Sequence, residues 1–337
     1  MTSLRLLVAS ALALLAAQAP VLAQAVTART GYIPVMGTAQ IFVADKEGLL
    51  KVAGIEPKFT VFESGPAMIQ ALASGTLDIY VGGVAPLAVA RSKGVDVKVV
   101  AATAINEMTV VAGGKLAPAF KPGVAPAQVL KEFHAATGKA ARFATQPPGS
   151  VPHTTLVHWL DQVVKADKAD YEIVTMGIDA TQQAVLAGAV DGATLREPAV
   201  TVSMQRDPRL KIVATGNEMF TNQPGTVLAI SAAFIKAHPD AVQKLVDGIV
   251  KATKILKDDP ARAAGPIEAA LGKGLVDNAT VVKAIGSPAS TFTTDPRTII
   301  ESFRAMQAYQ VKIGSLDKEY PLDGLFDASF YENAAGN

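Results

Sequence analysis

The sequence predicts an α/β protein built as two lobes, each a mixed, mostly parallel sheet flanked by helices. Three observations predict it. The chain has 337 residues, 314 once a 23-residue leader is set aside, which suits two domains at roughly 150 residues each. Short β-rich runs alternate with helical segments in a regular order, the pattern of sheets covered by helices. An internal echo then pairs Gln70-Ala71-Leu72-Ala73-Ser74-Gly75-Thr76-Leu77-Asp78 with Gln183-Ala184-Val185-Leu186-Ala187-Gly188-Ala189-Val190-Asp191. In each copy a glycine stops a helix, and an apolar residue and Asp open the next strand.

Taken in order, residues 1–23 carry one charge, Arg5, then an apolar stretch over 6–17 and the small-residue end Gln18-Ala19-Pro20-Val21-Leu22-Ala23. This reads as an export signal, cleaved before Gln24 or before Val26, because the apolar stretch is shorter than the roughly 20 residues of a membrane span. Strands are expected at 26–33, 58–62, 77–82 and 95–102, with helices at 39–50, 66–73 and 85–92 between them. The alternation of the first lobe is complete by about residue 104, a further strand is expected at 108–112, and Gly113-Gly114 with Lys121-Pro122-Gly123 marks a crossover. The second lobe follows as helix 125–137, strand 140–145, helix 151–165, strand 171–175, helix 180–187, strand 192–195, helix 198–205 and strand 211–214. Residues 216–225 form the return crossover and 226–231 a strand that rejoins the first lobe; the remainder is mainly helical. The expected lobes are therefore 24–112 with 216–337, and 113–215.

Composition removes several classes of function. Half the residues are hydrophobic and 18% charged, which describes a packed globular chain. Thirty-one Lys and Arg against 30 Asp and Glu give +1, and zero once Arg5 leaves, so there is no nucleic-acid footprint. With no cysteine, disulfides, thiolate metal sites, iron–sulfur clusters and thiol nucleophiles are excluded. No Gly-x-Ser-x-Gly elbow supports a hydrolase. His158 and Asp161 are spaced i, i+3 without a third ligand, so no metal is expected, nor any other cofactor.

The informative features are turns between strand and helix. Gly31-Tyr32-Ile33-Pro34-Val35-Met36-Gly37-Thr38, Glu63-Ser64-Gly65-Pro66, Gly82-Gly83-Val84-Ala85-Pro86 and Gln146-Pro147-Pro148-Gly149-Ser150-Val151-Pro152-His153 each combine Gly with a hydroxyl residue or Pro in the first helical turn. Such turns gather at the carboxyl ends of parallel strands, where free N–H groups and helix N-termini suit an anionic or polar ligand. Candidate ligand contacts are Gly37, Thr38, Glu63, Ser64, Gly65, Gly83, Val84, Gly149 and Ser150. Tyr32 is expected to stack on a ligand or pack in the core, and His153 to donate from the cleft rim or cap the surface. Glu197 is expected to receive a ligand amine, or else to cap the helix after it. Arg196, alternating with Glu197, is expected to face solvent, and Trp159 to be core.

These strings, with Leu195-Arg196-Glu197-Pro198 and Ala237-His238-Pro239-Asp240 further on, resemble the substrate-binding proteins of the nitrate/sulfonate/taurine class of ABC importers, over about residues 30–334. The resemblance implies a type II periplasmic binding protein fold with two crossovers, a monomer in the periplasm that is not an enzyme, and partners in a membrane permease and its cytoplasmic ATPase. The implied ligand is a small anionic or zwitterionic solute, with taurine-like or alkyl sulfonates favoured and an N-heterocycle such as a pyrimidine precursor as the alternative. The related pyrimidine-precursor synthases need a cysteine-rich iron motif, which this chain lacks. One departure stands out: where the family often has Trp before Glu-Pro, this chain has Arg196, which puts an aromatic contact in doubt and offers a cation in its place.

Overall fold

A computed structural model describes residues 25–272 and 276–336; the leader expected over 1–23 lies outside them. Ten of the twelve strands described follow the expected order, and a short eleventh, β5, was not expected: β1 (Val26–Tyr32), β2 (Ile55–Val61), β3 (Ile79–Gly83), β4 (Val97–Ala102), β5 (Ala104–Ile105), β6 (Thr109–Ala112), β7 (Ala141–Thr145), β8 (Tyr171–Thr175), β9 (Gly192–Leu195), β10 (Lys211–Thr215) and β11 (Thr226–Ser231). The twelfth, β12 (Thr291–Phe292), falls in the region expected to be helical.

Two five-stranded sheets result. The first runs β2-β1-β3-β11-β4, with β1 parallel to β2 and β3, and β11 antiparallel to β3 and β4. The second runs β10-β6-β9-β7-β8, with β7 parallel to β8 and β9, and β6 antiparallel to both its neighbours. The two-lobed α/β class is the one the sequence predicts, and residues 226–231 do rejoin the first sheet.

The first crossover differs from the expectation. Strand 109–112 pairs with β9 and β10, so it opens the second sheet rather than closing the first. The chain therefore changes lobe at residues 103–108, and Gly113-Gly114 is a turn inside the second lobe. The two crossovers are tied together: Asn106 N–H donates to Gln223 O, Met108 N–H to the Gln223 side chain, and Ile105 bridges to Pro224. β12 pairs with β5 beside them. Residues 300–312, expected with the first lobe, touch both: the Gln310 amide donates to Ala85 O and Gly149 O, and Tyr309 and Lys312 reach Asp161 and Gln162. One hydrophobic cluster accordingly runs from Met68 and Tyr80 through Val151 and Leu156 to Phe303.

The internal echo reaches further than the two strings. Arg29 on β1 donates its backbone N–H and guanidinium to Asp78 and also to Gly75 O. Arg142 on β7 donates its backbone N–H to Asp191 and its guanidinium to Ala189 O. Both Arg–Asp pairs are 49 residues apart, so in each lobe the backbone of a parallel strand, β1 or β7, is stapled to the Asp after the glycine-stopped helix. Trp159 is core, edge-on to Phe143.

Candidate interlobe binding site

The turns at the carboxyl ends of the parallel strands in the two sheets face and touch one another. Met36 N–H donates to Glu197 O at 2.7 Å, and Ile178 N–H to Glu63 O at 3.3 Å. A Cβ placed on Gly83 would lie 2.9 Å from Val151 Cγ2, and one on Gly149 3.6 Å from Val89. Each contact joins the first lobe to the second.

At the centre sits Arg196, following β9 and 4% exposed. β9 is the middle strand of its sheet, covered on both faces, so the residues at its end have no solvent side to choose. The expectation that Arg196 faces water is overturned. Alternation itself holds: Arg196 turns towards Glu107 on the first crossover, and Glu197 turns the other way. Arg196 Nη1 lies 3.4 Å from Glu107 Oε1 and Nη2 3.2 Å from Gln146 Oε1, both long, while Nε has no protein partner. Thr226 Oγ1 donates to Glu107 Oε1 at 2.7 Å, and Glu107 Oε2 has no partner. Gly37 and Gly225 press on this carboxylate so closely that a side chain at either would overlap it or the backbone beside it. A cavity of about 80 Å³, lined by Pro34, Val35, Gln146, Thr194, Arg196 and Pro198 among others, opens beside the guanidinium. Buried charge is costly unless hydrogen bonds use all its donors and acceptors, so a guanidinium with donors to spare at a junction of two lobes is a ready anion site.

The other candidates divide into three groups. Gly83 and Gly149 line the junction and Gly37 presses on Glu107, while Gly65 packs within the first lobe, where a Cβ would lie 2.6 Å from Pro86 Cγ. Thr38, Ser64 and Ser150 spend their hydroxyls locally. Thr38 Oγ1 donates to Val35 O at 2.8 Å, while Ser64 and Ser150 accept from Ala67 N–H and His153 N–H as helix caps. The third group lies away from Arg196. Tyr32 is edge-on to Phe42 in the core, its hydroxyl pushed up by burial, and Val84 is fully buried with its N–H on Gly225 O. Glu63 sits on the exposed rim, beside Gly177.

Glu197 is 1% exposed, and its carboxylate accepts from Thr201 N–H and Oγ1, both at 3.0 Å. Burial pushes it upward in pKa, while Ser287 and Thr201 pull it back. It caps its helix; the carboxylate beside Arg196 is that of Glu107. Glu107 was not among the candidates; a lone acid between the apolar stretches 99–105 and 108–112 is the feature of the sequence that marks it.

The capping geometry makes Ser150→Ala cost about 1 kcal/mol and Ser150→Gly a few tenths, each leaving ligand affinity within about twofold. Denaturant unfolding with calorimetric titration checks both parts, and a tenfold affinity loss in either variant would instead make Ser150 a ligand contact.

His153 and His158 are both held below the ordinary imidazole value by burial, with the Met219 carbonyl partly opposing it at His158. Neutral in the fold, they are protonated more readily once the chain unfolds. The stability they contribute is complete above the unfolded value of about 6.5 and is lost as pH falls below it through the lower folded-state values. The melting temperature is expected to drop between pH 7.5 and pH 5.5, and to drop less in His153→Asn; equal drops would contradict this account.

A model of the NMT1-like family matches residues 23–269, well over half of the chain. The chain belongs to the NMT1-like family. Among curated proteins it is 26% identical, over 69% of its own length, to the nitrate import ATP-binding protein NrtC of Synechococcus elongatus, of which it spans only 36%. Among solved structures, the periplasmic nitrate-binding protein NrtA of Synechocystis superposes with a TM-score of 0.76 at 13% identity, covering 92% of this chain and 88% of that one. The alkanesulfonate-binding protein SsuA of Xanthomonas axonopodis, bound to MOPS, superposes with a TM-score of 0.72 at 19% identity, covering 90% and 98%. These likenesses agree with the two-lobed fold described above.

Proposed function

We propose that this member of the NMT1-like family is the extracytoplasmic solute-binding component of an ABC importer, capturing a small organic anion or zwitterion between its lobes and delivering it to a permease served by a cytoplasmic ATPase. The observation that carries this reading is Arg196: a buried cation with an unused donor, between turns of both lobes, beside a small cavity. The superposition on NrtA and SsuA supports it, and the family match that begins at residue 23 leaves the apolar stretch 6–17 free to act as an export signal. No chemistry is required of the site; a ligand replaces the long contacts of Arg196 with short ones and holds the lobes together. Taurine-like and alkyl sulfonates fit the guanidinium through several oxygens at once.

A thermal-shift screen of nitrate, alkyl sulfonates, amino sulfonates and carboxylates against the purified chain tests this. A ligand at 100 times its dissociation constant stabilises by roughly 2.7 kcal/mol, a shift of several degrees. If no anion in the panel shifts the melt, anion capture is wrong.

A further inference from the structure

Described residues contain seven buried side-chain atoms without a hydrogen-bond partner, and five of them belong to residues on or against the first crossover: Gln40 Oε1, Thr103 Oγ1, Asn106 Oδ1, Glu107 Oε2 and Arg196 Nε. Gln40 joins the group through its amide, which donates to Thr103 O at 2.7 Å. Unpartnered buried polar atoms are rare in native structures, and each asks for an explanation. Their chemistry is lopsided. Arg196 Nε is a donor; Thr103 Oγ1 serves as either; the remaining three are acceptors, one of them a carboxylate oxygen. The site therefore offers one cationic donor and several acceptors that only an N–H or O–H can satisfy.

Charge points the same way. Arg196 and Glu107 are each 3% exposed at the side chain and together neutral. An anion without a positive group would leave this water-poor junction at −1, with the new charge facing Glu107. A ligand that also carries an ammonium restores neutrality and gives Glu107 Oε2 the donor it lacks. Resting on the reading that the cleft captures a solute, we infer that Glu107 is a specificity-determining residue that selects ligands bearing both an anionic group and an ammonium or N–H donor over simple anions. The acid lies on the first crossover, between the two sheets.

Calorimetric titration of matched pairs tests it: 2-aminoethanesulfonate against ethanesulfonate, and β-alanine against propionate. In the wild-type protein the ammonium member of whichever pair binds is expected to be tighter by about tenfold or more, the worth of one hydrogen bond to a charged group. Glu107→Gln keeps an oxygen for Thr226 but removes the charge, and should bring the two members within about twofold, with the amine-free anion gaining affinity. Should that variant lack a cooperative melt, Gly37→Ala, whose Cβ displaces Glu107 Oε2, takes its place and must also erode the preference. Amine-free anions binding as tightly as their partners, or a preference that survives Glu107→Gln, overturns the inference while leaving solute capture intact. Binding by none of the four overturns it together with the capture reading for these ligand classes.

Discussion

Arg196→Ala is expected to abolish ligand binding, raising the dissociation constant by about a hundredfold or more. Two or more charge-assisted hydrogen bonds, each worth roughly 1.5 to 3 kcal/mol, disappear together. The same change removes the one positive group that, among the described residues, pairs with Glu107, leaving a carboxylate that is 3% exposed and accepts from Thr226 Oγ1. Breaking a buried ion pair from one side typically costs about 3 to 5 kcal/mol, because an uncompensated charge stays behind. Arg196 and Glu107 touch, so their effects should not add: Arg196→Gln with Glu107→Gln, which exchanges the pair for neutral groups of similar shape, should recover most of the stability. It should recover none of the binding of a simple anion. Denaturant unfolding and titration of all variants separate the two roles. Lysine is a poor substitute, since one ammonium cannot bridge Gln146, Glu107 and a ligand as the planar fork does. Should the double variant bind an anion within threefold of wild type, the cation is structural and the site lies elsewhere.

What could be read from the chain beforehand follows the range of the interactions involved. Helix caps and glycine stops are local, and Ser64, Ser150, Gly75 and Gly188 stand where their neighbours said they would. β9 and β11 lie where their β-rich runs place them, because a short apolar run bounded by turn residues is also a local signal. Sheet membership is not local. Nothing within residues 108–112 distinguishes a last strand of the first lobe from a first strand of the second; only the antiparallel partners β9 and β10, some 80 to 100 residues later, decide it. The same limit hid the site. Alternation correctly set Arg196 and Glu197 on opposite faces, but which face is wet depends on the elements that cover β9. One side meets Glu107 and Gln146, the other Thr201 and Ser287, and no side is left for water. Tyr32 fails for the converse reason: an aromatic at a strand end suits a ligand or the core equally, and Phe42 and Phe59 settle it.

Gly83→Val should hold the lobes apart and weaken binding by tenfold or more while barely affecting the first lobe itself. Gly83 ends β3, opposite Thr226 on β11, in ordinary strand conformation, so a β-branched residue suits its backbone. Among the described residues, its two chain neighbours aside, the atoms within 4 Å of an added Cβ belong to Val151, across the junction, with Cγ2 at 2.9 Å. Val151 is 1% exposed and opens the helix capped by Ser150, so it cannot swing aside. Overpacking of this kind costs about 1 to 3 kcal/mol, and here the cost falls on the closed arrangement alone. A ligand that needs that arrangement binds more weakly by the fraction of closed molecules lost. Scattering supplies the geometric half of the test: at saturating ligand, the radius of gyration of Gly83→Val should stay above that of the wild-type protein. Val151→Ala, which trims the opposing methyl groups, should restore both closure and affinity in the double variant. Wild-type affinity and radius in Gly83→Val would show that ligand is held without this contact, and the interlobe clamp would lose its geometric basis.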